Sequence, residues 1–299
     1  MSDPELEGGP FLVAASLSGA SDAVWARAAA PHVDVAVMGG IALDPASRAA
    51  ARDLVARDRS EFLPDDPVEW IDRQVRAVDD APVRPGVNLR SATVEPVREA
   101  AEICADRDAV CEINAHCRQP ELRAVGCGES LLRDVDRLAE YVAAAAETGA
   151  TTSVKVRTEV PGVDLVAVAD AVADAGADWL HVDAMDSEAV VEELTAGRPT
   201  GDTGSPDSPN DPIGLDAPDP LDASDSHEFP RCSLTVVANN GVRGRETIAE
   251  YAEYGADAVS VGRPSERPEA LARVADAVRA WREGELPPGE TADRSEASP

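Results

Sequence analysis

The sequence contains a single lysine, Lys155, among its 27 basic residues, so almost every other positive charge is an arginine. A lysine ammonium is a compact charge whose pKa shifts readily on burial, whereas a guanidinium is a flat fork that stays charged. Lys155 stands in Ser153-Val154-Lys155-Val156-Arg157, a β-branched run typical of a buried strand. We expect Lys155 to do something that an arginine cannot; the alternative is a lysine retained by chance on a solvated position.

Several other features are scarce or missing. Aromatic residues make up 3% of the chain, and no run of 18 apolar residues occurs. The first ten residues are acidic and polar, so we expect neither a membrane span nor a signal peptide. The five cysteines lack CxxC spacing, which favours free thiols in a reducing compartment over a zinc site or a disulfide framework. These absences predict a cytoplasmic protein without a bound metal.

Acidic residues dominate the charge, with 57 Asp and Glu and a net charge of −30. Such a composition is typical of a protein from a high-salt organism, because a short Debye length screens the self-repulsion of its surface. In ordinary salt the charge would argue against nucleic-acid binding, which relies on basic clusters that this sequence lacks.

Apolar runs alternate with amphipathic stretches along the chain, and this alternation predicts the fold. The predicted strands are Phe11–Ala15, Val33–Val37, Val83–Asn88, Ala109–Asn114, Thr152–Val156, Trp179–Val182, Leu234–Ala238 and Ala258–Val261. The predicted helices are Asp22–Ala30, Pro67–Val78, Val94–Cys104, Leu132–Thr148, Asp164–Ala175, Ser187–Thr195, Arg245–Tyr254 and Pro268–Trp281. This order favours a (β/α)8 TIM barrel over residues 10–283. A doubly wound open sheet is the alternative, but the first strand lacks its GxGxxG turn.

Two segments do not fit the alternation. Residues 198–230 form an acidic stretch rich in Pro and Asp with almost nothing apolar. That composition predicts a disordered insertion, and its place before the seventh strand puts it at the N-terminal face of the barrel, opposite the active-site face. The polar residues 284–299 are expected to form a disordered tail.

Polar residues recur where the predicted strands end, which is where such barrels carry their catalytic groups. From the first strand to the eighth they are Ser18 and Gly19; Asn88; Asn114, His116 and Cys117; Lys155 and Arg157; His181 and Asp183; Asn239, Asn240 and Gly241; and Gly262 and Arg263. The glycine-rich turns after strands seven and eight are typical of phosphate sites, because they present backbone N–H groups. The sequence therefore predicts one site at this face that binds a phosphorylated ligand.

Five segments resemble motifs of the FMN-dependent dihydrouridine synthase family, a branch of the flavin barrels that includes dihydroorotate dehydrogenase-like enzymes. They are Ala15-Ser16-Leu17-Ser18-Gly19-Ala20-Ser21-Asp22 (A-P-M-A-G-V-T-D in the family), Glu112-Ile113-Asn114-Ala115-His116-Cys117 (D-x-N-x-G-C-P), Gly126-Cys127-Gly128-Glu129-Ser130-Leu131-Leu132-Arg133-Asp134 (G-x-G-S-x-L-L-x-D), Val154-Lys155-Val156-Arg157 (V-K-I-R) and the two phosphate turns. In this order they span nearly the whole predicted barrel.

The resemblance implies a mechanism in which the flavin delivers hydride to a uracil-type C=C bond and Cys117 donates the proton to the neighbouring carbon. It implies catalytic roles for Lys155 and His181 and substrate contacts for Asn114, His116 and Arg118. It implies NADPH or NADH as reductant and an FMN site built from Ser18, Gly19, Asn88, Lys155, Arg157, His181, Asn239, Asn240, Gly241, Gly262 and Arg263.

Some positions depart from the family motifs. His116 replaces the glycine before the cysteine, Arg118 replaces the proline after it, and Asn88 stands for the usual glutamine. A histidine beside Cys117 is also an arrangement that activates a thiol as a nucleophile. The tRNA-reading helical domain of typical members has no counterpart after the helix that ends at Trp281. Together with the missing basic patch, this argues against tRNA as a partner.

Three interpretations of the function stay open. The first is an FMN-dependent oxidoreductase of the dihydrouridine synthase type, acting on tRNA uridine or on a small pyrimidine-like molecule. The second is a phosphate-binding barrel without flavin, with Lys155 as a base or Schiff-base former. The third is a barrel that binds flavin or a partner protein without catalysing a reaction.

Overall fold

Residues 9–196 and 234–286 are described by the structure, which is a computed structural model. The predicted insertion 198–230 and residues 287–299 of the predicted tail lie outside the described residues. Eight parallel strands close into a barrel in sequence order, and β8 pairs with β1. The strands are β1 (Phe11–Ala14), β2 (Val35–Ala42), β3 (Arg84–Arg90), β4 (Val110–Asn114), β5 (Thr151–Arg157), β6 (Trp179–Asp183), β7 (Thr235–Asn239) and β8 (Ala258–Val261). The predicted (β/α)8 fold is confirmed.

Helices cover the outside of the barrel. Within the described ranges they are α1 (Ala23–Ala29), α2 (Pro45–Val55), α3 (Pro67–Arg76), α4 (Glu95–Asp106), α5 (Pro120–Ala124), α6 (Glu129–Leu132), α7 (Val135–Ala146), α8 (Leu165–Asp174), α9 (Val190–Thr195), α10 (Arg245–Glu253) and α11 (Pro268–Arg282). Eight of them correspond to predicted helices, while α2, α5 and α6 were not predicted. None of the helices in these ranges is long and apolar enough to cross a membrane.

The two faces of each strand serve different cores. Val154 and Val156 of β5 point outward and join the large core between the strands and the helices. Side chains of the other face fill the barrel interior. An apolar cluster that includes Phe11 and Trp179, the first residues of β1 and β6, closes the amino-terminal end of the barrel, and the two rings lie 5.1 Å apart. Because side chains alternate along a strand, Lys155 faces the barrel interior.

Strand β2 is longer than predicted because it continues through Gly39 and Gly40 and stays paired with β3 as far as Ala42. The pairing is irregular between Gly39 and Ile41. A Cβ atom on Gly40 would lie 2.5 Å from the side-chain oxygen of Asn88. Glycine at this position therefore lets the β2 backbone pass close to the polar side chains that β3 sends into the barrel.

Candidate functional site

A central cavity of about 820 Å³ opens at the carboxyl ends of the strands. This volume is in the usual range for small-molecule and cofactor sites. The cavity brings together eight of the residues predicted for the site: His116, Arg118, Lys155, Asn239, Asn240, Gly241, Gly262 and Arg263. The predicted convergence on this face of the barrel therefore holds for these residues.

Lys155 lies in the floor of the central cavity. Its side chain is buried, and its register partners are Asn114 on β4 and His181 on β6. It makes no side-chain hydrogen bond or ion pair with the residues that the structure describes. Burial lowers the pKa of Lys155, and the carboxylates of Glu112 and Asp183 counteract part of that effect. The lining thus offers a ligand an ammonium group with no protein partner.

Glu112 provides a buried negative charge inside the barrel. One of its carboxylate oxygens accepts a hydrogen bond from Asn88 Nδ2 at 2.7 Å, and the other lies 2.6 Å from His181 Nδ1. Burial alone would raise its pKa, but His181, Lys155 and these hydrogen bonds outweigh burial and lower the pKa of Glu112 to about 2. The side chain is therefore a carboxylate at neutral pH.

His181 links this carboxylate to the opposite side of the barrel. Its Nε2 lies 2.6 Å from Ser260 Oγ, and Asn239 Nδ2 donates to the same hydroxyl. Burial and the nearby Lys155 lower the pKa of His181, which favours the neutral ring. With its proton on Nδ1 toward Glu112, the ring accepts at Nε2, so Ser260 donates to His181 and accepts from Asn239.

The same network reaches the loop between β4 and α5. Asn114 Nδ2 donates to Asn88 Oδ1 at 2.8 Å, and Asn114 Oδ1 accepts the backbone N–H of Cys117 at 3.1 Å. The start of the loop is thereby fixed to the barrel interior. We call the connected side chains the polar network; they are Asn114, Asn88, Glu112, His181, Ser260 and Asn239. Of the predicted site residues, Asn88, Asn114 and His181 lie in this network and not on the cavity lining.

Cys117, the predicted proton donor, does not line the central cavity. Its half-buried side chain packs against a small apolar cluster formed by Ala50, Leu54, Leu122 and Cys127. Its carbonyl oxygen accepts the N–H of Glu129 at 2.9 Å. Gly128 has a φ of +60°, and a Cβ atom there would lie 2.2 Å from that oxygen. Only glycine allows α6 to approach the cysteine loop this closely.

The neighbours of Cys117, His116 and Arg118, do line the cavity. His116 Nδ1 lies 3.2 Å from Asn114 Oδ1. Burial and the charge of Lys155 hold the pKa of His116 well below its usual value, so the ring is neutral. Since Asn114 Oδ1 can only accept, Nδ1 carries the proton and Nε2 is left as an acceptor.

Ser18 and Gly19 lie beside the cavity and are absent from its lining. Ser18 Oγ accepts from Arg90 at 2.7 Å, and Arg90 is paired with Glu61 at 2.6 Å with both side chains almost fully buried. A Cβ atom on Gly19 would lie 2.5 Å from backbone atoms of Ser60 and Glu61. The chain around Glu61 therefore closes this side of the barrel. Arg90 was not predicted from the sequence, although it follows the inward-facing Asn88 by two residues.

Arg157 is separated from Lys155. It lines a second cavity of about 770 Å³, formed by the loops after β5 and β6. Its Nε donates to the carbonyl oxygen of Thr158 at 3.4 Å. The structure therefore does not bring Arg157 and Lys155 together around one ligand.

The turn after β7 is held open by hydrogen bonds. Asn240 and Gly241 have φ values of +86° and +66°, and Asn240 Nδ2 donates to the carbonyl oxygen of Met185 at 2.7 Å. The hydroxyl of Tyr251 donates to the carbonyl oxygen of Asn240 at 2.9 Å. After β8, a Cβ atom on Gly262 would meet nothing within 4 Å. Both turns border the central cavity, and a phosphate site at these turns stays a prediction.

Three exposed arginines surround these turns on the cavity lining: Arg243, Arg263 and Arg267. None makes a side-chain hydrogen bond or ion pair with the described residues. Arg243 and Arg267 were not predicted from the sequence. Their position in the chain, close after the two predicted phosphate turns, is the sequence signal that could have identified them.

One protein family matches part of the chain. Residues 72–193 match the dihydrouridine synthase (Dus) family. This dihydrouridine synthase match confirms the resemblance over the three motifs that it covers, from Glu112 to Arg157, and includes Asn88, Cys117, Lys155 and His181. An uncharacterized protein of Methanocaldococcus jannaschii is 27% identical over 175 residues, which are 58% of this chain and 67% of that protein.

Solved structures support the fold. The dihydroorotate dehydrogenase (DHODH) of Eimeria tenella, in complex with ferulenol, has a TM-score of 0.57 and 13% identity, covering 92% of this chain and 84% of its own. The N-acetylneuraminic acid synthetase of Leptospira borgpetersenii has a TM-score of 0.57 and 11% identity, covering 97% of this chain and 89% of its own. At these identities the likeness shows the barrel alone, so the dihydrouridine synthase match is the comparison that bears on the reaction.

Proposed function

We propose that this protein is an FMN-dependent oxidoreductase that reduces a uracil-type C=C bond, with NADPH or NADH as reductant. The proposal rests on the match of residues 72–193 to dihydrouridine synthases together with one observation. That observation is the ammonium of Lys155, which has no partner among the described residues and lies in the floor of a cavity edged by two open turns.

The cavity lining fits FMN in size and charge. Its volume of about 820 Å³ suits a ligand of this size, and Asn240, Gly241 and Gly262 offer backbone groups for the single phosphate. Arg263 would pair with that phosphate. Lys155 would stabilise the negative charge of the reduced ring. When bound, FMN would supply hydride chemistry that no side chain of this protein provides.

The polar network would keep Lys155 charged in this buried position. Removing an ammonium from water is costly unless an opposite charge compensates. Glu112 supplies that charge from within the barrel, and His181 and Asn88 hold its two oxygens. In this proposal His181 is a positioning residue that acts through Glu112, because it lies outside the cavity lining.

Cys117 remains the proposed proton donor. The alternative on the lining, His116, is neutral and turns an acceptor nitrogen away from Asn114, so it has no proton to give from that atom. Cys117 packs against the apolar cluster of Ala50, Leu54, Leu122 and Cys127. Donation of its thiol proton to the substrate therefore requires the loop after β4 to turn toward the cavity.

The decisive experiment is a titration of the purified protein with FMN, followed by flavin fluorescence and absorbance. We expect saturable binding of one FMN per chain. A colourless protein that FMN cannot reconstitute would contradict the proposal. The matched variants Cys117→Ala and Cys127→Ala should both bind FMN, but only Cys117→Ala should lose reduction of the substrate. Equal activity in the two variants would remove the proton-donor role.

A second candidate function is carbonyl chemistry through a Schiff base. The lowered pKa of Lys155 favours it, because an amine must lose its proton to act as a nucleophile. Borohydride treatment with sugar-phosphate aldehydes or ketones would trap such an adduct, which mass spectrometry would locate on Lys155. Absence of the adduct in a protein that binds FMN would leave the oxidoreductase as the better account.

A further inference from the structure

We propose that the substrate is a free pyrimidine nucleotide whose own phosphate binds Arg118. The arginine stands on the cavity wall opposite the turns that would hold the phosphate of FMN. This inference rests on the proposed function, since it names the substrate class of the same cavity.

Most arginines in the described ranges are engaged by acids or by backbone oxygens. Six make no side-chain hydrogen bond or ion pair there: Arg52, Arg59, Arg118, Arg243, Arg263 and Arg267. Four of these six line the central cavity. In a chain with a net charge of −30, carboxylates are available almost everywhere on the surface. Concentration of unpaired guanidinium groups around one cavity therefore indicates an anionic ligand.

The four arginines stand in two groups on opposite walls. Arg243 follows β7, and Arg263 and Arg267 follow β8, whereas Arg118 follows β4. In a closed barrel of eight strands in sequence order, β4 and β8 are four strands apart in either direction and so face each other. FMN has one phosphate, which the β7–β8 group would bind. That assignment leaves Arg118 for an anion of the substrate.

The surroundings of Arg118 suit a substrate anion. The acids of the lining, Asp183 and Glu266, belong to the β6 and β8 sides of the cavity. Glu121, close to Arg118 in the chain, is already paired with Arg57 at 3.0 Å. Arg118 therefore meets no competing carboxylate on its own wall. On the same wall His116 presents an acceptor nitrogen that suits an N–H or hydroxyl donor, such as N3–H of uracil or a ribose hydroxyl.

The charge distribution favours a free nucleotide over RNA. Binding an RNA strand requires several basic side chains along the backbone path outside the catalytic pocket. Outside the cavity, the described part of the chain holds only Arg52 and Arg59 without a side-chain partner. Arg118 is a single unpaired arginine across the cavity from the turns proposed to bind the FMN phosphate. It therefore suits a nucleotide, which carries one phosphate group besides its base.

The test uses FMN-loaded protein titrated with uridine 5′-monophosphate and with uridine, by calorimetry and by the shift of the flavin absorbance. We expect the nucleotide to bind at least tenfold more tightly than the nucleoside. Arg118→Gln should bring the nucleotide to the affinity of the nucleoside and leave FMN affinity unchanged. The matched control Arg59→Gln changes another exposed arginine whose side chain has no partner among the described residues, and it should change neither affinity. Inorganic phosphate should compete with the nucleotide and spare the nucleoside.

Equal affinities for nucleotide and nucleoside in the unchanged protein would overturn the inference. It would also be overturned if Arg118→Gln lost affinity for FMN and kept its affinity for the nucleotide. Tighter binding of a uridine-containing tRNA fragment than of the nucleotide would replace the free nucleotide with RNA. Failure of FMN to bind would contradict the proposed function instead. Titration of the flavin-free protein would then still report whether Arg118 discriminates the two ligands.

Discussion

The buried carboxylate of Glu112 makes the stability of this barrel depend on pH in a way that one substitution can isolate. Folding lowers its pKa from 4.5 to about 2, and each unit corresponds to roughly 1.4 kcal/mol. The ionised carboxylate therefore stabilises the native state by on the order of 3 kcal/mol above pH 4.5. Because the pKa is lower in the folded state, this stabilisation is lost as the pH falls from about 4.5 toward 2.

The substitution that tests this is Glu112→Gln. A glutamine side chain has one acceptor oxygen, so it can accept from His181 or from Asn88 but not from both. Its NH2 group then faces the other donor. We expect the free energy of unfolding to fall by about 3 kcal/mol at pH 7. The difference from the unchanged protein should shrink to about half by pH 3, where much of the native carboxylate stabilisation has gone.

The measurement is urea unfolding followed by circular dichroism at pH 7, 5 and 3, with the salt concentration held constant so that surface repulsion is screened equally. Glu140→Gln is the control, because Glu140 is exposed and lies outside the polar network. It should change the free energy of unfolding by less than about 0.5 kcal/mol at each pH. A Glu112→Gln effect that is this small, or that is the same at pH 7 and pH 3, would refute the reasoning.

Three further predictions concern the loops and the floor of the cavity. Gly128→Ala should reduce the free energy of unfolding by more than about 2 kcal/mol, because its Cβ would clash with the carbonyl oxygen of Cys117. The control Gly149→Ala, at a glycine that also has a positive φ but no neighbouring atom within 4 Å of its Cβ, should reduce it by about 1 kcal/mol in the same urea assay. Lys155→Arg should weaken FMN binding at least tenfold by fluorescence titration, and unchanged affinity would mean that the lysine is dispensable. Tyr251→Phe should lower the free energy of unfolding by about 1 kcal/mol and weaken FMN binding, because the turn after β7 loses a hydrogen bond. A loss of stability with unchanged FMN affinity would mean that this turn does not bind FMN.

The strands could be predicted because parallel barrel strands are buried on both faces and read as continuous β-branched runs. The helix α2 was missed because its buried residues are mostly small, so the apolar period is weak. Its start was nevertheless marked in the sequence. Asp44 caps the N–H groups of Ala46 and Ser47, and Pro45 occupies the first helical position.

The candidate site was predictable in part, because residues two apart on a strand share its inward face. That rule places Lys155, Asn88 and Asn114 in the barrel interior. Glu112 was quoted within a motif but given no role, since its partner His181 lies 69 residues further along the chain. The direction of Cys117 was not predictable either, because it depends on packing against α2 and α5, two helices that were not predicted from the apolar pattern.

The polar network gives a physical reason for lysine at position 155 in a chain that otherwise uses arginine. Of the two carboxylates that act on the pKa of Lys155, Glu112 has the larger effect, and both of its oxygens already accept hydrogen bonds from His181 and Asn88. A guanidinium would bring five donors and a permanent charge into this space, so it would compete for those oxygens. A lysine needs only the field of the carboxylate and can turn all three N–H groups toward a ligand. The arrangement therefore separates the two tasks, with Glu112 compensating the charge and the ammonium remaining available in the cavity.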